Sequence, residues 1–391
     1  MEEVVFEIEA VTPMFLGGAD MENGVPEFRA ASIKGLLRYW YRAIYPKAMS
    51  ADEDRIFGST DGRSPFRLKT DLIEPKYGEK GDLWEGTSIA YLGYGLLKIR
   101  EKKTWTQRKY FHTGSKFRLS FRFPPSSPKN DKIFILRAFW ALSMLGGLGS
   151  RSRRGFGSYK ITSCNYSMPE VPPFTFADQH TFAKALKEFV NLIKYTTYDT
   201  KDDRNVPTHT CFSSKTSIVI QPVPYGHRLK ATSGSLFMQG NMAMAALEDF
   251  ALHLKNYRSA KVKAPKYIED HDLMLHYLEN GQTPESAPKR AAFGLPHNYF
   301  FSSTKMSGNV DLMDNDGKGR RGSPLFIHVQ GFSDNSACGV FTFLPATLIP
   351  PTKKIRISGR GRPTVDVPPP DFSAVRHYMD DLINEGGERI L

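Results

Sequence analysis

The stretch GGLGSRSRRGFG, residues Gly146–Gly157, sets the interpretation of the whole sequence. It follows an apolar segment predicted to be a helix from about Lys132 to Leu145, and it leads into a predicted strand at Ser158–Cys164. A dinucleotide-binding glycine motif has the opposite order, since it follows a strand and opens a helix. The pattern therefore predicts a glycine-rich loop between a helix and a strand, and it excludes a dinucleotide fold.

This loop combines two residue types that suit an anionic ligand. Glycines let a backbone approach a phosphate closely, and arginines can bind it through paired N–H groups. An aromatic residue in the loop could stack on a base or simply pack on the sheet. The candidate nucleic-acid-binding residues of the loop are Gly147, Gly149, Arg151, Arg153, Arg154, Gly155 and Phe156.

The segments before the loop complete a regular pattern. Val4–Val11 is β-rich, and a helix is predicted from Ser32. Short β-like runs follow at Phe66–Leu68, Thr87–Leu92 and Lys116–Phe123. The resulting order is β-α-β-β-α-β, the ferredoxin-like or RNA-recognition-like topology, so we expect an α+β fold whose first domain spans residues 1–165.

The rest of the chain is predicted to contain a connector and a second domain of the same kind. Residues 166–210 are rich in proline, threonine and aspartate around one helix, Phe182–Ile193, and form the connector. Residues 211–391 form the second ferredoxin-like domain. Its predicted strands and helices are Ser217–Pro222, Asn241–Leu254, Ser323–Gln330, Gly339–Leu344 and Ser373–Ile383.

A faint internal repeat links the two halves. Phe57-Gly58 is followed by Arg63-Ser64-Pro65-Phe66, and Phe293-Gly294 is followed by Arg321-Gly322-Ser323-Pro324-Leu325. Each copy follows a helix and leads into a strand. The shared order favours an internal duplication.

A second cationic element lies in EFRAASIKGLLRYWYR, residues Glu27–Arg42. Lys34, Arg38 and Arg42 are four residues apart, so a helix presents them as one basic stripe, with Arg29 just ahead of it. Lys34 is predicted in the first turn, where the helix dipole disfavours a cation unless an anion is bound. The alternative is an ordinary solvated face, although no acidic residue interrupts the stripe.

Two further basic regions are less specific. Residues 98–122 interleave cations with aromatic side chains, which suits single-stranded RNA and equally suits a hairpin with a wet face. Its cations and aromatics are Lys102, Lys103, Trp105, Arg108, Lys109, Tyr110, Phe111, Lys116, Phe117 and Arg118. A similar patch in the second half contains Lys353, Lys354, Arg356, Arg360 and Arg362.

Composition narrows the class of protein. A net charge of +12 and a pI near 9.4 favour a polyanionic partner, because neutralised phosphates release counterions. The three cysteines form no CxxC pair, which excludes a zinc ribbon and fits a reducing compartment. No apolar run approaches the ~18 residues of a membrane helix, and the N-terminus does not resemble a signal peptide. We therefore expect a cytoplasmic protein without a membrane partner.

Catalytic and metal-binding motifs are weak in this sequence. It lacks GxxxxGK, HExxH and GxSxG, and Asp311–Gly317 fits a calcium loop poorly, so neither a cofactor nor a metal is expected. A metal-independent ribonuclease could still use a histidine as general base. The histidines considered for that role are His112, His209, His227, His271 and His276.

Several motifs resemble the RAMP superfamily of CRISPR-associated proteins and, more narrowly, the first subunits of Cmr complexes, the type III-B effectors. In the first half these motifs are TPMFLGGAD (Thr12–Asp20), EFRAASIKGLLRYWYRA (Glu27–Ala43), IFGS (Ile56–Ser59) and GLGSRSRRGFGS (Gly147–Ser158). The second half matches through FGLP (Phe293–Pro296) and RRGSPLF (Arg320–Phe326). No clear glycine-rich loop appears in the second domain, because Gly359–Arg362 precedes the last helix.

The resemblance implies a non-catalytic RNA-binding subunit of an antiviral ribonucleoprotein. Its implied partners are CRISPR RNA, target single-stranded RNA and other Cmr subunits, with a place near the 3′ region of the guide. It implies that the basic helix and the glycine-rich loop carry the RNA-binding residues. Two alternatives stay open: a metal-independent RAMP endoribonuclease that processes guide precursors, and a protein–protein adaptor without RNA affinity of its own.

Overall fold

The structure is a computed structural model that describes residues 1–18, 20, 24–84, 87–194, 207–223, 242–258, 267–314, 317–334, 336–350 and 352–391. Helices and antiparallel sheets are mixed along the chain, so the predicted α+β class is confirmed. The helices are α1 (Ala30–Ile44), α2 (Ser50–Phe57), α3 (Ile89–Leu92), α4 (Lys129–Leu145), α5 (Gln179–Ile193), α6 (Met242–Arg258), α7 (Ile268–Asn280) and α8 (Ser373–Asn384).

The strands range in length from two residues to nine. They are β1 (Glu2–Ala10), β2 (Arg67–Glu74), β3 (Tyr77–Gly78), β4 (Leu83–Trp84), β5 (Leu97–Arg100), β6 (Lys103–Thr106), β7 (Tyr110–Phe111), β8 (Lys116–Phe123), β9 (Tyr159–Cys164), β10 (Ser217–Pro222), β11 (His297–Phe301), β12 (Met306–Asp314), β13 (Gly317–Gly319), β14 (Leu325–Gly331), β15 (Ala337–Phe343), β16 (Lys354–Gly359), β17 (Val365–Val367) and β18 (Glu388–Arg389).

The first unit, residues 2–164, is built on a sheet with strand order β2-β8-β1-β9. Along β1 the side chains alternate, as the period of two in a strand requires. Val4, Phe6 and Ile8 are buried on one face, in the core that includes α1 and α4 residues, while Glu3 and Glu7 line the other. The first sheet therefore has one covered face and one open face.

The second unit, residues 217–389, is built on a sheet with the same strand connectivity as the first. Its sheet has the order β14-β15-β10-β18, and α6 and α8 pack on one face. Counted within each unit, both sheets place the second strand outermost, then the third, the first and the fourth. The same connectivity is thus used twice.

The second sheet differs from the first because both of its faces are buried. Leu325, Ile327 and Val329 of β14 lie in the core with α6 and α8. Phe326 and, on β15, Val340 lie on the opposite face, in the core that contains α4 and α5. The molecule is therefore layered as sheet, helices, sheet, helices.

Insertions account for the remaining elements. Between β2 and β8 the chain forms two small sheets, β3-β7 and β4-β6-β5, together with α3. The strand predicted at Thr87–Leu92 is wrong: Ile89–Leu92 is the short helix α3, which ends at Gly93. Short apolar runs carry too little periodicity to distinguish a strand from a helix. In the second unit β11, β12, β13, β16 and β17 form a third sheet, with a core to which α7 contributes.

The sequence repeat corresponds to one backbone turn built twice. Gly58 follows α2 with φ +80°, and a Cβ there would lie 2.7 Å from the Ser64 amide nitrogen. Gly294 has φ +120°, and a Cβ there would lie 3.2 Å from the amide nitrogen of Ser323. Only glycine suits a positive φ with backbone this close. Ser59 N–H donates to Gly62 at 2.9 Å, as Leu295 N–H does to Arg321 at 2.9 Å, so one matching bond closes each copy. In the second copy Arg321 N–H also donates to Leu295 at 3.0 Å, and β11, β12 and β13 lie between the two bonded residues.

Within the described part of the chain, no helix combines the length and apolar character needed to cross a bilayer.

Candidate nucleic-acid interface

A groove lies between α1 and the turn that links α2 to β2. Helix α1 buries Ile33, Leu37 and Trp40 against the first sheet, which leaves Lys34 and Arg38 facing the turn. The groove is open and encloses about 1140 Å³. Its lining residues are Ala31, Lys34, Gly35, Arg38, Phe57, Gly58, Ser59, Thr60, Asp61, Gly62, Arg63, Ser64, Pro65, Phe66, Arg67 and Pro124.

Lys34 is the cation of the stripe that lacks an acidic partner. Its ammonium lies 5.2 Å from the centre of the Phe66 ring and makes no ion pair with any described residue. Partial burial, and then the charge of Arg38, lower the pKa of the Lys34 ammonium. An anion in the groove would relieve both effects, because opposite charge favours the protonated form.

The other two cations of the stripe are partly neutralised by α2. Glu53 lies 3.8 Å from Arg38 Nη1 and 3.6 Å from Arg42 Nε. Arg38 also donates to the Gly58 carbonyl, which ties α1 to the turn. No acidic residue lies within the stripe in sequence, which predicts cations without partners. The structure corrects this for Arg38 and Arg42, because Glu53 of the next helix pairs with both.

The start of α1 also differs from the prediction. The helix begins at Ala30, with Arg29 as its N-terminal flanking residue, rather than at Ser32. Lys34 therefore lies beyond the first turn, where the helix dipole acts most strongly. Arg29 is exposed and lies 3.7 Å from Glu27, so it borders α1 but does not line the groove.

Arg63 and Arg67 line the groove, although no sequence motif indicated them as binding residues. Both are exposed, and neither forms an ion pair with a described residue. With Lys34 and Arg38 they give the groove four cationic side chains against one acidic residue, Asp61. The sequence feature that could have indicated Arg63 is the internal repeat that contains it, but the repeat predicts only a duplication and not a binding site.

The glycine-rich loop faces the interior, which changes its interpretation. Its backbone is bonded to the segment after β1: Gly157 N–H donates to Pro13 at 2.9 Å, and Ser150 N–H donates to Phe15 at 3.0 Å. A Cβ on Gly157, whose φ is +67°, would lie 1.8 Å from the Leu148 carbonyl oxygen. Gly147 and Gly155 are buried and Gly149 is exposed. The glycines at these positions let the chain approach itself.

Arg153 joins the two units. Its guanidinium lies 4.5 Å from the ring centre of Phe326 and 5.2 Å from that of Tyr39 on α1, and it donates to the Ser323 carbonyl at 2.7 Å. Arg153 C=O accepts from Ile327 N–H at 3.1 Å. These contacts occupy the side chain and the backbone of Arg153, and they connect the glycine-rich loop to α1 and to β14.

The remaining loop residues divide between interior and surface. Phe156 is fully buried beside Phe15 and Trp84, so its ring is closed to a base in this structure. Arg154 donates to the Phe293 carbonyl at 3.0 Å, and burial lowers its pKa to about 10. Arg151 is exposed and donates to the Tyr94 carbonyl. The loop and α1 touch through Arg153 and Tyr39, but they do not form one open basic face.

The open face of the first sheet carries paired charges. Arg118 bonds Glu7 at 2.9 Å and Arg122 bonds Glu3 at 3.0 Å. The aromatic side chains Tyr110, Phe111 and Phe117 of the same region are buried and cannot serve as a stacking platform.

The basic patch of the second half is also engaged. Arg356 bonds Asp366 at 2.7 Å, and Arg362 donates to the Leu278 carbonyl at 2.7 Å. Residues 359–362 turn the chain between β16 and β17. Arg360 at this turn is exposed.

The candidate histidines are scattered over the molecule. His209 is half-buried near Arg42, where burial lowers its pKa, while His271 pairs with the adjacent Asp272 at 3.0 Å. His276 is exposed on α7, and His112 is half-buried in the first unit. His227 lies outside the described residues, as do Asn315 and Asp316 of the Asp311–Gly317 segment, and Asp311 bonds Lys318 at 2.7 Å. Among the described residues, no three His, Cys, Asp or Glu side chains gather as a metal site requires.

Comparison with known proteins identifies the class first. The model of the RAMP superfamily matches residues 7–160, which cover the first sheet, the groove and the glycine-rich loop.

Two Pyrococcus furiosus proteins narrow the class. The chain is 33% identical over 186 residues to the CRISPR system Cmr subunit Cmr1-2, covering 96% of that protein and 41% of this chain. It is 29% identical over 363 residues to subunit Cmr1-1, covering 90% of each. The chain belongs to the Cmr1 family of the RAMP superfamily.

Solved structures agree with this fold. The crystal structure of apo Cmr1 from Pyrococcus furiosus matches with a TM-score of 0.58 and 19% identity over 100% of this chain and 99% of that one. A chain in the cryo-EM structure of the type III-B Cmr-beta complex bound to cognate target RNA matches with a TM-score of 0.51 and 13% identity, covering 98% and 99%.

Proposed function

We propose that this chain is a non-catalytic RNA-binding subunit of a type III-B Cmr effector complex. In this proposal it lies near the 3′ region of the CRISPR RNA, helps capture target single-stranded RNA and contacts other Cmr subunits in the cytoplasm. Membership of the Cmr1 family supports the place in the complex. The groove of the first unit supports RNA binding.

The groove carries this proposal because its charges lack internal partners. Lys34, Arg63 and Arg67 make no ion pair with a described residue, although they surround one open groove. Phosphates supply the missing counter-charges, and their binding releases condensed cations. Among the described residues, the groove lining contains no histidine and one carboxylate, Asp61, which favours binding over general acid–base chemistry.

The proposal includes the domain organisation. The strand orders of the two main sheets support two ferredoxin-like domains in tandem, with bounds near 1–165 and 211–391 and a connector at 166–210. The segment between α4 and β9 is the glycine-rich loop of the first domain. Its arginines join the domains, so the proposed RNA contacts shift from Arg153 to Lys34, Arg38, Arg63 and Arg67.

Filter binding of single-stranded RNA across a salt series tests the proposal. We expect a variant with Lys34→Gln, Arg63→Gln and Arg67→Gln to bind at least about tenfold more weakly, with a salt slope smaller by about 2, since each single-strand phosphate contact contributes about 0.7. The matched control changes Arg118→Gln and Arg122→Gln, which bond Glu7 and Glu3 on the open sheet face.

Three results would reject the proposal. If RNA affinity does not depend on salt concentration, or is the same in the groove variant as in the wild type, the groove is not the RNA site. Cleavage of RNA by the purified chain in EDTA favours the endoribonuclease alternative. Capture of other Cmr subunits after nuclease treatment, without any RNA affinity of the chain itself, favours the adaptor.

A further inference from the structure

A second cationic cluster lies where the glycine-rich loop meets the second unit, away from the groove. Arg154 comes from the loop, Arg258 from the end of α6, Arg290 from the turn Lys289–Phe293 and His297 from β11. All four are half-buried or nearly buried. We call this cluster the junction crevice.

One of these cations is fully compensated. Arg290 Nε bonds Asp270 at 3.0 Å and Arg290 Nη1 bonds the Arg258 carbonyl at 2.7 Å. Asp270 also accepts the backbone N–H groups of Lys289 at 2.7 Å and of Arg290 at 2.8 Å. Asp270 therefore directs three hydrogen bonds to the Lys289–Arg290 segment, and it forms no ion pair with Arg154 or Arg258.

Arg154 and Arg258 have no such partner. Neither forms an ion pair with a described acidic residue, and both lie against Phe293: Arg154 donates to its carbonyl at 3.0 Å, and Arg258 lies 5.1 Å from its ring centre. Arg154 Nη1 and Arg258 Nε are shielded from solvent without any hydrogen-bond acceptor. A guanidinium stays charged in proteins, so these donors cannot be neutralised by losing a proton.

Among the described residues, the surroundings of Arg154 and Arg258 provide no acidic partner for either arginine. His297 contacts Arg258, and burial together with Arg258, Arg290 and Arg154 holds its pKa well below the usual range. The ring of Tyr91 lies 5.6 Å from the Arg258 guanidinium and provides an aromatic wall. Like charges brought together out of water are costly unless an anion joins them.

We propose that the junction crevice is a phosphate-binding site, completed by a phosphate group that accepts from Arg154 Nη1 and Arg258 Nε. Both guanidinium groups lie against Phe293, and each has an N–H without an acceptor, so a phosphate between them could accept from both. The site uses residues from both units, so it gives the second unit a part in anion recognition. It is independent of the groove, because none of its residues lines that groove.

Thermal unfolding of the full chain, in sodium phosphate or sodium chloride at matched ionic strength, tests this site. We expect phosphate to raise the Tm of the wild type by at least about 2 °C. Arg258→Gln and Arg154→Gln should each lose most of that rise. In chloride the Tm of Arg258→Gln should equal or exceed the wild-type value, because one uncompensated charge is gone, whereas loss of a purely structural arginine would lower it. Arg154→Gln also removes the bond to the Phe293 carbonyl, so for this variant only the phosphate-dependent rise in Tm is compared.

Arg360→Gln, which removes an exposed arginine at the β16–β17 turn, is the matched control and should keep the full phosphate effect. Identical phosphate effects in the wild type and in both crevice variants would overturn the proposal. If Arg258→Gln does not fold, Arg258→Lys keeps the charge and should weaken the phosphate effect.

RNA binding then identifies the source of the phosphate. A loss of about tenfold in RNA affinity for Arg258→Gln assigns the site to an RNA phosphate, and unchanged RNA affinity assigns it to a free phosphate ligand. The groove variant should retain the phosphate-dependent rise in Tm, so failure of the groove proposal can be distinguished from failure of this one.

Discussion

The two main sheets have the same strand order but different surroundings. The first sheet buries one face and exposes the other, whereas α4 and α5 cover the second sheet on the face that its own helices leave open. The matching turns differ in the same way. The turn at Gly58 borders an open groove, while the turn at Gly294 is filled by the loop arginines, with Arg153 on Ser323 and Arg154 on Phe293.

This difference shows how one structural unit can serve two purposes. In the second unit the turn receives arginine donors from within the chain and holds the molecule together. In the first unit the same turn presents Arg63 and Arg67 to solvent, where an external anion can bind. Residues of the first turn are therefore tested by RNA binding, and residues that contact the second turn by stability.

The largest expected effect comes from Phe156, which decides whether the loop is interior or exposed. Phe156→Ala should lower the free energy of unfolding by about 3–5 kcal/mol, because it leaves a cavity beside Phe15 and Trp84. Urea denaturation followed by far-UV circular dichroism measures the loss. The matched control is Phe300→Ala, since Phe300 is 66% exposed and should cost little.

An RNA-stacking role for Phe156 would give the opposite result. RNA affinity would then fall while the unfolding midpoint stayed at the wild-type value.

The sequence predicted those elements whose periodicity is complete in one segment. Helix α4 was placed to within three residues at its start, and β8 and β10 were placed at their observed bounds. The third sheet was missed because its strands come from two segments separated by β14 and β15. Pairing between distant segments leaves no local pattern.

The sequence predicted the groove residues only where they lie on a single helix. The spacing of Lys34 and Arg38 on α1 was enough to place both on one face. Arg67 was missed because it joins them only after α2, an element that was not predicted, folds the chain back. For Phe156 the sequence left both stacking on a base and packing inside open, because its neighbours Phe15 and Trp84 lie far away in sequence.

A smaller effect is expected from His328, a polar residue on the covered face of the second sheet. His328 Nδ1–H donates to the Gly146 carbonyl at 2.7 Å, and burial lowers the pKa of His328 to about 4. The pKa of an unfolded histidine is near 6.5. Below that pH the unfolded state binds a proton at His328 and the folded state does not, so acid favours unfolding. Stability should fall by about 3 kcal/mol as the pH drops from 6.5 to 4.

Urea midpoints at pH 7 and pH 4.5 measure this loss. His328→Gln can still donate to Gly146 but does not titrate in this range, so it should lose less stability on acidification than the wild type. The exposed histidine variant His276→Gln serves as control. Equal acid sensitivity in wild type and His328→Gln would contradict a neutral, buried His328.

The smallest expected effect concerns Glu53, the acid that weakens the basic stripe. Glu53→Gln releases Arg38 and Arg42, whose ion pairs with Glu53 measure 3.8 and 3.6 Å. RNA affinity should rise by about threefold at low salt, and stability should change by less than about 1 kcal/mol, because both ion pairs are long and both arginines are partly exposed. Filter binding at two salt concentrations measures the change, and a drop in affinity would mean that Glu53 positions the arginines for RNA.

The covered face of the second sheet also determines how the chain unfolds. Phe326 and Val340 belong to the same apolar cluster as Phe6 and Phe139, which lie in the first unit. Loss of the second sheet would uncover the face of α4 that packs on it, so unfolding of the second unit would destabilise the core of the first. The two topological repeats therefore share part of one core, and we expect a destabilising change in either unit to lower the stability of the other.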